Sequence, residues 1–129
     1  MLYLGIDWGE KRIGLALGDS ETKIATPFKV ANKLEEVLQV IKDEDIEAIV
    51  VGKPLSMTNY ELRITNEGFN DFLEKLKKEV NIPLEIIDER LSSKAADALT
   101  GHTEFKTERD AVAAMVILQS YFDQLSIMN

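Results

Sequence analysis

The stretch Leu2-Tyr3-Leu4-Gly5-Ile6-Asp7-Trp8-Gly9-Glu10-Lys11-Arg12-Ile13-Gly14-Leu15-Ala16-Leu17 decides how this chain is read. Two apolar runs, Leu2–Asp7 and Ile13–Leu17, flank a short polar segment containing Gly9, which suits a β-hairpin with a glycine-bearing turn. Asp7 closes the first run, so an acid sits where a buried strand emerges. Two later motifs repeat that placing. Asp88-Glu89 ends the apolar run Leu84 to Ile87, and Asp110 opens a helix-like segment, Ala111-Val112-Ala113-Ala114. Acids at strand and helix ends can converge at one edge of a sheet and share divalent cations. That is the layout of a metal-dependent phosphodiester nuclease.

Outward from the hairpin, Ile24–Val30 reads as a third strand, with Pro27 placing it at an edge. Leu34, Val37, Leu38 and Ile41 recur at helical spacing and predict a helix from about Asn32 to Asp43, with Asn32 as N-cap. Ala48–Gly52 is apolar on both faces, as strands of a covered parallel sheet are. Phe69, Phe72, Leu73, Leu76 and Val80 mark a second helix, which Asn81-Ile82-Pro83 ends. Leu84–Asp88 is the last strand. Ser92 or Ser93 is expected to cap a short helix through Leu99, closed by Gly101. Residues 101–106 then form a mobile loop before a final helix, roughly Thr107 to Leu125. The order β-β-β-α-β-α-β-α-α predicts a single α/β domain over residues 1–129: a mixed five-stranded sheet flanked by helices in three layers.

Composition narrows the chemistry. The chain has 129 residues, 45% hydrophobic and 29% charged, enough to bury a core. The absence of cysteine excludes disulfides, thiolate metal sites and cysteine nucleophiles. His102 is the only histidine, which disfavours zinc and leaves oxygen ligands, hence Mg²⁺ or Mn²⁺. No signal peptide is read at Met1–Gly5, and no apolar run approaches the ~20 residues that span a bilayer. A cytoplasmic protein with no membrane association is expected. The net charge of −8 argues against a nucleic-acid partner. Its distribution softens that objection, because Arg12, Arg90 and Arg109 lie beside the acidic motifs and Lys53 sits in the Gly52-Lys53-Pro54 turn.

The string Leu4 to Ala16 resembles the opening hairpin of the ribonuclease H-like superfamily. Taken with Val51-Gly52-Lys53-Pro54-Leu55, Asp88-Glu89-Arg90-Leu91-Ser92-Ser93 and Asp110-Ala111-Val112-Ala113-Ala114, the chain resembles the bacterial YqgF family. That family is described as Holliday-junction-resolvase-like and as pre-16S ribosomal RNA nucleases. The resemblance runs in order over essentially the whole chain and implies a ribonuclease H-like fold. It departs from the family pattern where Ser56-Met57-Thr58-Asn59-Tyr60 lacks a glycine and where Ser92-Ser93 replaces threonines.

The resemblance also implies Asp7, the Asp88-Glu89 pair and Asp110 as catalytic acids acting by a two-metal mechanism. Strand alternation lets only one of Asp88 and Glu89 face Asp7. Glu89 is favoured as the ligand beside Asp7 and Asp110, because it lies further beyond the strand's end. Arg12, Lys53, Arg90 and Arg109 are expected to bind nucleic acid, with Arg90 clamping a phosphate. Precursor 16S ribosomal RNA is the expected substrate and branched DNA, a four-way junction, the alternative. Neither a dimer nor a monomer is legible. A catalytically idle nucleic-acid-binding domain is a rival reading, as is nucleotide binding of the actin or Hsp70 type, which needs two such domains. Trp8 reads as packing rather than base stacking, and His102 as an ordinary loop residue.

Overall fold

The computed structural model describes residues 1–53, 67–88 and 106–128. The short helix expected at 92–99 and the loop at 101–105 lie outside the described residues, as do Glu89 and Arg90.

Five strands form one sheet: β1 (Leu2–Asp7), β2 (Ile13–Asp19), β3 (Ile24–Ala31), β4 (Ala48–Lys53) and β5 (Leu84–Asp88). Their spatial order is β3-β2-β1-β4-β5. The first three make the expected antiparallel meander, and β4 and β5 join parallel to β1. Pro27 does lie on an edge strand. Phe28 falls in a bulge beside it, between the pairs Leu15–Lys29 and Ala16–Pro27. Both features blunt an edge that would otherwise invite pairing.

Three described helices cover the sheet: α1 (Leu34–Asp43), α2 (Glu67–Glu79) and α3 (Lys106–Met128). Alternation along the strands sorts their side chains between two layers. Leu4, Ile6, Ile13, Leu15, Ile49 and Val51 face α1 and α2, meeting Val37, Val40, Phe69, Phe72, Leu73 and Leu76. Val50 and Ala25 face α3, meeting Ile117, Leu118 and Phe122, with Tyr3 and Ile87 packed against them. The final helix therefore fills the core, and its Leu118 and Phe122 are fully buried.

The expected cap of α1 is corrected. Lys33, not Asn32, occupies the N-cap, and its side chain makes no capping bond. The Asn32 main-chain N–H instead donates to the Glu36 carboxylate, so Asn32 is held by the helix rather than capping it. At the other end Asp45 adopts a left-handed φ of 52°. The N–H groups of Asp45 and Ile46 then donate to the carbonyls of Lys42 and Ile41, a paired closure that turns buried Ile46 toward β4. β2, β3 and α3 each run further than periodicity alone predicts. α3 is fastened to β3 by Gln119, whose Oε1 accepts from the Ala25 N–H at 3.0 Å and whose Nε2 donates to the Lys23 carbonyl at 2.8 Å.

Candidate active site

Asp7 is the last residue of β1, paired with Gly14 on β2 and with Gly52 on β4. One step along, Lys53 pairs with Asp88. Parallel strands β1, β4 and β5 thus deliver Asp7, Lys53 and Asp88 to the same edge of the sheet. Open α/β sheets place their ligands at this carboxyl edge.

Asp110 reaches that edge through glycine. Residues directly opposite on paired strands face the same side, and Gly14, opposite Asp7, presents no side chain to α3. A Cβ at Gly14 would collide with the Asp110 carbonyl and stand 3.1 Å from the Ala111 nitrogen. The helix backbone consequently rests on the strand at the residue facing Asp7. The same fit continues along β1 toward the later turns of α3. A Cβ at Gly5 would lie 2.8 Å from the Ala114 carbonyl and 2.9 Å from Leu118 Cβ. Farther along, the Tyr3 ring meets Phe122 edge-on at 5.4 Å. Ala111 and Ala114 are buried, as the small residues of this helix promised. The strand-side glycines are what the sequence reading missed. An isolated glycine inside a strand is the signal of close backbone approach that would have found them.

Electrostatics at Asp110 are incomplete. Arg12 Nε lies 3.1 Å from Asp110 Oδ2, with the arginine side chain 47% exposed and the aspartate 27%. That oxygen is nevertheless buried and takes up no hydrogen bond. The guanidinium contributes charge from beside the oxygen without aiming an N–H at it. A buried carboxylate oxygen with unused lone pairs suits a hard cation. Among the described residues no three acids gather into a metal site; Asp7 and Asp110 are the two expected acids whose side chains fall among them.

Other expected site residues fall into place less fully. Arg109 is exposed on the first part of α3, next to Asp110. Lys53 and Asp88 are located by register alone, and Glu89 and Arg90 lie beyond the described residues. Trp8 is packing: its ring lies 5.6 Å from Phe69 and 6.5 Å from Phe72 on α2, against Gly68. The residue after Asp7 is thereby clamped to the other helical layer. No helix among the described residues is long and apolar enough to cross a membrane.

Residues 1–124 match the family described as "RuvX: Holliday junction resolvase". The chain belongs to the RuvX family. Related proteins include the "Putative pre-16S rRNA nuclease" of Maridesulfovibrio salexigens, 35% identical over 94% of this chain and 97% of that protein. Its namesake in Fusobacterium nucleatum is also 35% identical, over 94% of this chain and 96% of that one. Among solved structures, Thermus thermophilus RuvC in complex with a Holliday junction substrate aligns with a TM-score of 0.65 at 18% identity, covering 98% of this chain and 96% of RuvC. The Fowlpox virus resolvase, bound to Holliday junction DNA, aligns with a TM-score of 0.60 at 11% identity, covering 97% and 99%. At such identities the likeness is one of fold, and it confirms the ribonuclease H-like architecture for this RuvX member.

Proposed function

We propose that this RuvX member is a divalent-metal-dependent nuclease that trims precursor 16S ribosomal RNA near its 5′ end. The observation that carries the reading is the seating of Asp110 against Gly14, which brings the α3 acid to the strand pair that ends in Asp7. Asp7 and Asp110 are assigned as metal ligands, with Glu89 as the third. Ile87 packs on the α3 side of the sheet, the side of the Asp7–Gly14 pair. Glu89 is preferred to Asp88 because it comes one residue later in the sequence and has the longer arm to reach a metal shared with Asp7 and Asp110. Mg²⁺ or Mn²⁺ held by these acids would supply Lewis acidity and a water of lowered pKa for attack on phosphorus, the chemistry of two-metal hydrolysis.

The chain's own groups do the remaining work. Asp7 and Asp110 hold fixed negative charge at a sheet edge, on rigid elements rather than loops. Exposed Arg12 and Arg109, with Lys53 and Arg90, are the groups to meet phosphate. One small acidic chain offers little basic surface for two duplex arms, while a single strand can pass a few arginines to reach the acids. The relatives' names support the same choice.

A second reading, cleavage of four-way DNA junctions, is favoured by the family's description and by the two junction-bound resolvases that share the fold. A cleavage assay with Mg²⁺, against EDTA, on a precursor 16S 5′ leader and a four-way junction in parallel decides between them. Faster cleavage of the leader, abolished by EDTA, is expected. Preference for the junction would reverse the substrate assignment, and cleavage insensitive to EDTA would refute the metal chemistry.

A further inference from the structure

Arg12 is engaged at the site in a manner that its expected role in binding nucleic acid does not explain. It leaves the β1–β2 turn directly behind Gly9, where a Cβ would stand 2.7 Å from the Arg12 carbonyl, so the turn is tight at this residue. Its Nε sits 3.1 Å from the buried Asp110 Oδ2 and yet gives that oxygen no hydrogen bond. This is a point charge laid against a carboxylate, not a fork locked onto it. An Arg–carboxylate pair built for rigidity uses two parallel N–H···O bonds. A pair whose Oδ2 takes up no hydrogen bond, with the arginine side chain half in water, contributes little stability that a competing cation would have to overcome.

We propose that Arg12 is an exchangeable latch on Asp110: it neutralises the carboxylate while no divalent cation is present and is released to contact RNA phosphate when the cation takes the acid. This inference rests on the metal-dependent reading above. Arginine suits the part because it keeps its charge at every physiological pH. Without it, Asp110 would meet an incoming phosphate as uncompensated negative charge. Once released, the guanidinium can turn its donor fork, whose geometry matches a phosphate, toward the substrate. By linkage, whatever the cation does for RNA affinity the RNA does equally for cation affinity. Arg12 is the residue through which part of that coupling passes.

Calorimetric titration of the metal-free protein with Mg²⁺ tests this independently of cleavage. Arg12→Gln should bind Mg²⁺ about threefold more tightly than the parent, the scale of a half-exposed ion pair that no longer competes. Lys11→Gln removes the same charge one residue away and should bind as the parent does. Arg12→Lys, whose ammonium can withdraw into water, should fall between parent and Arg12→Gln. Circular dichroism establishes that each variant is folded. Ca²⁺ should raise affinity for a single-stranded RNA oligonucleotide by a larger factor in the parent than in Arg12→Gln. If the parent binds Mg²⁺ no better than Asp7→Asn does, the metal-dependent reading fails and the latch with it. If binding depends on Asp7 but both Arg12 variants bind no tighter than the parent, the latch is overturned and the site survives. Equal tightening in Lys11→Gln would also overturn it, since a general field effect would then suffice.

Discussion

Replacing Gly14 with alanine should damage this protein twice, in stability and in the placing of Asp110. The added Cβ would overlap the Asp110 carbonyl group and lie 3.1 Å from the Ala111 nitrogen. All of those atoms are helix backbone, so no side-chain rotation relieves the clash. Either β2 or the start of α3 must shift. Overpacking of a filled interior costs about 1–3 kcal/mol, and a backbone clash belongs at the upper end of that range. Alanine restricts the unfolded chain and returns roughly 0.4–1 kcal/mol, leaving a net loss of about 2–2.5 kcal/mol. For a chain of this size that is a fall in Tm of roughly 7–9 °C. A shift of about 1 Å at a reacting group costs on the order of 10²-fold in rate.

Gly5→Ala is the matched control. Its Cβ would lie 2.8 Å from the Ala114 carbonyl and 2.9 Å from Leu118 Cβ, about one and two helical turns from the acid. It should lose comparable stability but keep most of its activity well below its Tm. Urea unfolding gives the first quantity, and Mg²⁺-dependent cleavage of the RNA leader gives the second. Gly14→Ala unfolding within about 0.5 kcal/mol of the parent, the range of an ordinary surface change, while cleaving at the parental rate would refute the seating argument.

Asp7→Asn should abolish Mg²⁺-dependent cleavage while leaving circular dichroism and the urea midpoint near parental values; cleavage at the parental rate would remove Asp7 from the ligands. Asp45→Gly should stabilise by roughly 0.5 kcal/mol in urea unfolding, because glycine adopts the left-handed φ of 52° without strain. Burial raises the pKa of Tyr121 above its ordinary 10.0, aided by the charge and hydrogen bond of Tyr3 and by Glu85. The neutral phenol is the form that folding favours. Its contribution to stability is therefore complete below the unfolded value near 10 and is lost as pH rises through the higher folded value. Ultraviolet difference titration of the parent against Tyr121→Phe should show this tyrosine ionising late.

What was legible follows from the range of each cue. Asp7 was legible because a two-residue alternation and an apolar run are local signals, and the strand ends where the run ends. The edge position of β3 followed from one proline, since a missing N–H cannot be hidden in a sheet interior. The N-cap of α1 was misread because Asn32 looks right in isolation, whereas the backbone turns helical one residue later, after Lys33 with its extended φ of −154°. Gly5 and Gly14 read as strand residues of no special note, because nothing local says which helix will lie across them. Asp110 was found by its alanine neighbours, yet its contact with Arg12 crosses most of the chain and leaves no periodic trace. The orphaned oxygen is a property of packing alone.

The acidity that argued against a nucleic-acid partner is sorted in space. The Glu47 N–H donates to the Leu2 carbonyl, so the run Asp43-Glu44-Asp45-Ile46-Glu47 lies by the start of β1. Asp19 pairs with Leu2 and takes the amino terminus at 3.5 Å, which puts it with Glu21 at that same end. Asp7 is at the other end of β1, a strand of six residues, or about 17 Å away at the usual rise per residue. That exceeds the screening length of roughly 8 Å at physiological ionic strength. Phosphate approaching the carboxyl edge therefore meets Lys11, Arg12 and Arg109 and the acids of that edge, Asp7, Glu10, Asp88 and Asp110, more than it meets the net charge. On the proposed reading, those acids offset the cations until they bind metal, so the edge would turn attractive to phosphate only when metal is present. The same carboxylates would then set both where the substrate is cut and when it is held.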